Sequence, residues 1–285
     1  QELLQHRDHL ENLVEIQTKE LRSTINLLQH NNFEKEDLLN EITDSITYAK
    51  NIQTAILPSK KIVQKLLRES FIYYKPKDIV AGDFYWLQER DNKVLFAVAD
   101  CTGHGVPGAM VSVVCNNALN RSVREYGLTE PGKILDKTRG IVKEEFEKSG
   151  KEVNDGMDIA LCSLEGNQLE YAGARIPVWI IRDGEIIEIK GDRQPIGKYG
   201  SQKPYTTHTF NLQEGDLIYI FSDGFVDQFG GEKGKKFKIQ PFRDLLLSIQ
   251  ENNMYDQKTI IYKTFEDWKG TLEQIDDISV IGVRI

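Results

Sequence analysis

The sequence predicts an α+β fold built on antiparallel sheet and preceded by a long helix, and three observations predict it. Residues 10–56 contain no Pro or Gly and repeat apolar residues at heptad spacing, the pattern of a coiled-coil helix. Short apolar runs then meet across tight-turn pairs such as Asp91-Asn92 and Asp183-Gly184, which signals hairpins rather than βαβ crossovers. Between and after the hairpins lie stretches of helical periodicity.

Composition narrows the class. A chain of 285 residues that is 40% hydrophobic can bury a sizeable core. Its net charge of -8 argues against nucleic acid as a partner, because that binding rests on Lys and Arg neutralising phosphates. Three cysteines, Cys101, Cys115 and Cys162, form no C-x-x-C pair and leave one over, which supports neither a disulfide framework nor a zinc ribbon and favours a reducing, cytoplasmic setting. No apolar run approaches the roughly 18 residues needed to insert in a membrane, and no secretion signal opens the chain. It begins with Gln1, which reads as a piece of a longer protein.

In one frame the heptad d positions are Val14, Leu21, Leu28, Lys35, Ile42, Ala49 and Ile56. The a positions, Leu10, Gln17, Thr24, Asn31, Leu38, Ser45 and Ile52, are half polar. A good d row with a weak a row predicts an adjustable homodimeric coiled coil, since polar a residues lower stability while fixing register, with a long helix lying on its own domain as the alternative. Residues 1–57 thus read as a signalling linker helix ended by Pro58, 58–69 as a connector with two helical turns from Lys61 to Glu69, and 70–285 as the globular domain.

Phe71–Tyr74 reads as a strand, and a loop from Lys75 to Gly82 leads to a hairpin over 83–99. In an antiparallel pair the start of one strand lies beside the end of the next, so Asp83 and Asp100 should reach the same sheet edge. Helices follow from Ala109 to about Tyr126 and from Pro131 towards Gly150, the second with Ile134, Leu135, Ile141, Val142 and Phe146 on one face. From 157 to 190 the period is two, predicting one antiparallel meander. A buried strand at 216–222 ends in Asp223-Gly224, 225–238 reads as a mobile loop, 241–250 and 255–269 as helices, and 278–283 as a last strand preceded by Asp276-Asp277.

Asp83, Asp100, Asp223, Asp276 and Asp277 therefore gather at the ends of four strands with no cation recurring beside them. Crowded carboxylates repel unless a cation sits among them. Oxygen-only donors suit hard ions, Mg²⁺ or Mn²⁺, and four or five carboxylates exceed the needs of one, which points to two ions sharing a bridging Asp and a water. Gly103 and Gly105 would leave room near the ions. The literal nucleotide fingerprint Gly103-x-Gly105-x-x-Gly108 is outweighed by Asp100 intervening after the strand and by hairpins elsewhere. Asp155 and Asp158 are candidates for an accessory metal or for a strand cap, and Arg175 and Arg193 for meeting a phosphate. The Lys-rich stretch 233–238 could steer an acidic phosphoprotein, with a solvated loop as the simpler reading.

The segments Gly-Asp83-Phe-Tyr-Trp, Ala-Asp100-Cys-Thr-Gly-His-Gly, Tyr-Ala-Gly-Ala-Arg-Ile-Pro, Phe-Ser-Asp223-Gly and Asp276-Asp-Ile-Ser-Val-Ile resemble, in order, the motifs of the PPM metal-dependent serine/threonine phosphatases, within them the bacterial SpoIIE/RsbU-type branch. The resemblance covers roughly 70–285. It implies an α-β-β-α sandwich of two antiparallel sheets with a binuclear Mn²⁺/Mg²⁺ centre between them. By position, Asp100 would bridge the ions, the Cys101 carbonyl would bind one, Asp223 and Asp276 would hold the other, and Asp83 would bind directly or through water. The position after the bridging Asp departs from the small or aliphatic residues usual there, but only the Cys101 carbonyl is needed. Water would be the nucleophile, held by Asp83 and Asp100. Asp158, Asp277 and His104 are possible accessory residues, His104 as a candidate proton donor. The resemblance further implies a phosphoserine or phosphothreonine protein substrate, such as an anti-sigma-factor antagonist, and an upstream sensory domain acting through the dimerising helix of what is the cytoplasmic part of a larger sensor. The competing reading is a catalytically silent, phosphatase-like dimeric interaction module.

Overall fold

Helix α1 runs from Glu2 to Ile56, as an unbroken stretch free of Pro and Gly allows. The computed structural model describes residues 2–148, 155–198, 200 and 202–285; Gly150, expected at the end of the second domain helix, lies outside them. The chain divides into two compact units, Gln1–Ala49 and Lys50–Ile285. In the first, Leu10, Val14, Leu21, Leu28, Leu38 and Ile42 of the heptad rows are all exposed. Among the described residues no helix is long and apolar enough to cross a membrane.

In the second unit Pro58 stops α1, and α2 (Lys60–Leu66) forms the expected short connector helix. Then come β1 (Ser70–Lys75), β2 (Phe84–Arg90) and β3 (Lys93–Cys101), followed by α3 (Gly105–Arg124) and α4 (Pro131–Glu147). The middle holds β4 (Gly156–Glu165), β5 (Gln168–Ala174), β6 (Val178–Arg182), β7 (Glu185–Ile189), β8 (Ile196–Gly197) and β9 (His208–Asn211). The chain closes with β10 (Leu217–Phe221), α5 (Gly224–Asp227), β11 (Phe229–Gly230), β12 (Lys235–Lys236), α6 (Ile239–Ser248), α7 (Met254–Lys269) and β13 (Ile278–Arg284).

The strands form a six-stranded sheet, β2-β3-β4-β5-β9 with β8 added on β4, and a five-stranded sheet, β1-β13-β10-β6-β7, every named pairing being antiparallel. Three apolar layers make an α-β-β-α sandwich of them. Leu95, Ala97 and Ala99 of β3 pack with Leu119 and Ile134 of α3 and α4. The alternate residues Phe96 and Val98 pack inward with Ile180, Ile218 and Ile281 of the other sheet. Both faces of β3 are thus covered, which is why its sequence is a continuous apolar run rather than an alternation. On the far side Trp179, Tyr219 and Phe221 pack with Phe242, Ile261 and Phe265 of α6 and α7. Each fully buried Leu, Ile, Val or Phe among them contributes about 1.5–3 kcal/mol over an exposed one.

Three expectations change. The meander of 157–190 is split: β4 and β5 lie in one sheet, β6 and β7 in the other. The break falls at Arg175–Pro177, where Arg175 is left-handed (φ 63°) and Pro177 cannot donate to a ladder. Helix α3 begins at Gly105, four residues before Ala109, because Pro107 sits in its first turn, where a fixed φ and no N–H are compatible with a helix start. The 225–238 stretch is ordered into α5 and the hairpin β11–β12, anchored by fully buried Phe225, whose ring lies 5.1 Å from that of Phe237 and 4.7 Å from that of Phe242.

Candidate active site

The end of the sandwich where β2 starts and β3 and β10 finish collects the acids. The Phe84–Ala99 pairing leaves Asp83 and Asp100 side by side just beyond it. Asp100 in turn pairs with Asp158 of β4. From the other sheet, Asp223 follows β10 and Asp276 and Asp277 precede β13, two strands joined by the Phe221–Val280 pairing. The acids therefore occupy the facing edges of two sheets, not one edge as the strand ends alone suggested. A cavity of about 430 Å³ opens there, with Asp100, Asp158, His104, Arg175, Asp223 and Asp276 in its walls.

The acids crowd one another electrostatically. Burial, then the charges of Asp83, Asp223, Asp276 and Asp158, pushes the Asp100 carboxyl up to about 10. The Asp223 side chain reaches solvent at the mouth of the cleft, yet partial desolvation by surrounding protein, with Asp227 and Asp276 nearby, raises it to about 6 against the opposing pull of Lys236. Asp158 is raised by burial, with Arg175 opposing. Among the described residues no three His, Cys, Asp or Glu side chains are already clustered to hold an ion, so the carboxylates share a cleft without converging on one point. The donor set itself fits a hard divalent cation: its charged side-chain donors are carboxylates, four of which add to the effect of burial in raising Asp100.

Asp83 lies behind Asp100, almost fully buried (2% exposed), and Ser222 Oγ donates to its Oδ2 at 2.5 Å. Burial holds its pKa well above the ordinary carboxylate value, Ser222 opposing and Asp277 adding to the rise. The Ser222 hydroxyl also accepts from the Ser279 amide at 3.0 Å, tying β10 and β13 to Asp83. Asp277 spends its carboxylate on the backbone: Lys77 N–H donates to Oδ1 and Gly82 N–H to Oδ2, each at 2.7 Å. It clamps the 77–82 loop and is not among the cavity walls. The Cys101 thiol is buried beside Cys115, and burial raises its pKa well above the ordinary thiol value.

His104, before α3, contacts Asp78 Oδ2 through Nδ1 and Lys77 Nζ through Nε2, both at 3.0 Å. A lysine ammonium only donates, so Nε2 is the acceptor and Nδ1–H donates to Asp78. The His104 proton thus points to Asp78 rather than into the cavity. Asp83, Arg193, Asp155 and Asp277 are absent from the cavity walls among the described residues, whereas Asp158 and Arg175 belong to them, 3.6 Å apart.

The glycines around Asp100 serve backbone contact more than open space. Gly103 and Gly105 take left-handed φ values of 83° and 62°. A Cβ on Gly108 would lie 2.1 Å from the Gly103 carbonyl oxygen, and one on Gly82 would lie 2.2 Å from the same atom. Loop 77–82, the 101–104 loop and the start of α3 are packed backbone to backbone. Gly108→Ala is therefore expected to cost about 1–3 kcal/mol by overpacking, read as a drop in thermal melting temperature, whereas Gly140→Ala, with nothing near its Cβ, should leave the melt unchanged or raise it.

Residues that pattern reading missed are Lys77, Asp78, Ser222 and Gln53. Gln53, near the end of α1 within the second unit, is buried (5% exposed). Its Nε2 donates to the Ala81 carbonyl at 2.6 Å and to Ser112 Oγ at 3.0 Å, and its Oε1 accepts from Ala81 N–H at 3.1 Å. One amide thus touches the loop that delivers Asp83 and the helix that follows Asp100. A glutamine among many in a polar helix carries no periodic signal; these contacts join residues 28 and 59 positions apart.

Residues 90–285 match the family described as Stage II sporulation protein E (SpoIIE). Phosphoserine phosphatase RsbU of Bacillus subtilis (strain 168) is 25% identical over 244 residues, covering 78% of this chain and 70% of its own. The SiaA-PP2C domain of Pseudomonas aeruginosa is 33% identical with a TM-score of 0.78, covering 86% of this chain and 98% of that one. The PP2C phosphatase domain of SpoIIE from Bacillus subtilis, with a fragment of its regulatory domain, shares the fold at 18% identity and a TM-score of 0.62, covering 76% of this chain and 62% of that one. A sandwich that gathers acids from facing sheet edges in the order of the family's motifs, matched over more than half its length, belongs to the SpoIIE family of PP2C-type protein serine/threonine phosphatases.

Proposed function

We propose that this chain is a divalent-metal-dependent phosphatase that removes phosphate from serine or threonine of a partner protein in bacterial signalling. The observation that carries the reading is the meeting of Asp100, Asp223 and Asp276, from facing edges of two sheets, in the walls of one cavity, where burial and the neighbouring acids raise the Asp100 carboxyl. Carboxylates so crowded call for a bound cation. Asp100, Asp223, Asp276 and the Cys101 carbonyl would hold two ions, Mn²⁺ or Mg²⁺, with Asp83 binding directly or through water. When bound, such ions neutralise phosphoryl oxygens and lower the pKa of water for in-line attack on phosphorus. The chain's own contribution is positional. Ser222 and Asp277 fix Asp83 and its loop, and the Gly82–Gly103–Gly108 contact fixes the backbone around Asp100. The family resemblance supports an anti-sigma-factor antagonist-like protein as substrate, and three free, buried cysteines suit a reducing cytoplasm.

Residues 1–57 act in this reading as the signalling helix, 58–69 as connector and 70–285 as the catalytic domain. Exposed apolar a and d residues of α1 support pairing with a second copy in a coiled coil. Ile52 (54% exposed) faces outward while its neighbour Gln53 is buried on the domain, so pairing of the helix would bear on the Asp83 loop and α3 together. An upstream sensory domain would supply the signal. The test is phosphate release from a phosphoserine protein. Release that needs Mn²⁺ or Mg²⁺ and stops with chelator is expected; release unaffected by chelator would overturn the metal reading, and none under any metal would favour a silent binding module.

A further inference from the structure

Arg175 is a long, charged side chain placed where the backbone asks for glycine. Its φ of 63° is left-handed, a conformation that costs a residue with a Cβ roughly 1–2 kcal/mol. The surroundings hold it there. Arg175 N–H donates to the Asp192 carbonyl at 2.9 Å, Asp192 N–H to the Gly173 carbonyl at 2.8 Å, and buried Tyr171 OH to the Ile176 carbonyl at 2.5 Å. Gly191 lets the two backbones approach, since a Cβ there would lie 2.8 Å from the Gly173 carbonyl oxygen. Strain so firmly imposed at a cleft marks a side chain needed in that place.

The guanidinium stands in the wall of the carboxylate cavity, half exposed, with Nη1 3.6 Å from Asp158 Oδ2, longer than a charge-assisted hydrogen bond. Arg175 and Lys198 are the Arg or Lys residues of that wall among the described residues. A phosphomonoester dianion entering a cleft of aspartates meets repulsion, and the planar fork of an arginine matches two phosphoryl oxygens at once.

We propose that Arg175 is the substrate-binding residue that grips the phosphoryl group of the phosphoprotein, holding two of its oxygens over the aspartates while Asp158 keeps the guanidinium in place. This rests on the phosphatase reading of the same cavity.

The test uses the full chain and Arg175→Gly, which removes the guanidinium and relieves the left-handed strain, beside Arg175→Lys. Arg175→Gly should melt no lower than the unmodified chain, so any loss is not misfolding. In the Mn²⁺-loaded proteins, binding of inorganic phosphate, followed by calorimetry, should weaken on the order of ten- to a hundredfold in Arg175→Gly and less in Arg175→Lys. KM for a phosphoserine protein should rise by a similar factor, and Mn²⁺ affinity should change little. Unchanged phosphate affinity in Arg175→Gly would overturn the proposal. So would an effect confined to Mn²⁺ affinity, which would make Arg175 a counter-ion for Asp158. If the unmodified chain hydrolysed no phosphoprotein, the phosphatase reading would fail while the phosphate titration still decided the role of Arg175.

Discussion

Asp100→Asn and Asp223→Asn are expected to abolish metal-dependent phosphate release while leaving the fold intact. Asparagine keeps the shape but removes the charge that a hard cation needs, and these two residues reach the cavity from different sheets. Loss of a group that merely supports a metal ligand costs about 10–100-fold, so loss of a ligand should exceed about a hundredfold. Melting should show the opposite trend. Asp100 and Asp223, raised to about 10 and about 6, hold protons in the folded chain that an unfolded Asp releases above about pH 4. The native state then binds more protons than the unfolded one, so metal-free stability falls as pH rises through that window. Asp100→Asn should melt higher than the unmodified protein at pH 8 without metal, and should lose the stabilisation that Mn²⁺ gives. A variant with full activity and an unchanged Mn²⁺ shift would show that Asp100 holds no ion.

Gln53→Leu is expected to disconnect α1 from the catalytic domain. It leaves Ala81 N–H and C=O without their side-chain partner, at a cost of about 1–3 kcal/mol for buried groups. Its larger effect should fall on catalysis, because Ala81 lies two residues before Asp83 and Ser112 lies in α3, whose start is packed on Gly103. Ile52→Glu is the companion variant: it places a charge on the outward face and should change both sedimentation mass and turnover. Unchanged kinetics in Gln53→Leu together with an unchanged mass in Ile52→Glu would remove the helix from the control of the site.

What was legible in the sequence followed from local rules. Period-two runs and the Asp91-Asn92 and Asp183-Gly184 turns, positive in φ as such hairpins require, set the strand boundaries. Acids at strand ends were visible because each apolar run stops at one. Chain-distant events were not visible. The switch of sheets at Arg175 depends on Asp192 and Gly191, and the ordering of 225–238 on Phe225 meeting Phe242, so neither leaves a periodic trace. Asp277 sat beside Asp276 in the sequence as a possible accessory residue, yet backbone amides of a loop nearly two hundred residues away take up its carboxylate. Lys77 and Asp78 were read only as loop residues, although they hold His104.

The central claim, that the acids of two facing sheets form a metal site, is tested most directly by titrating Mn²⁺ into the metal-free chain by calorimetry in buffers of different ionisation heat. Because Asp100 and Asp223 carry raised pKa values, binding should release protons and give a buffer-dependent heat at pH 6–7, lost in Asp100→Asn. Absence of Mn²⁺ binding, or binding of equal strength and equal proton release in Asp100→Asn, would contradict it.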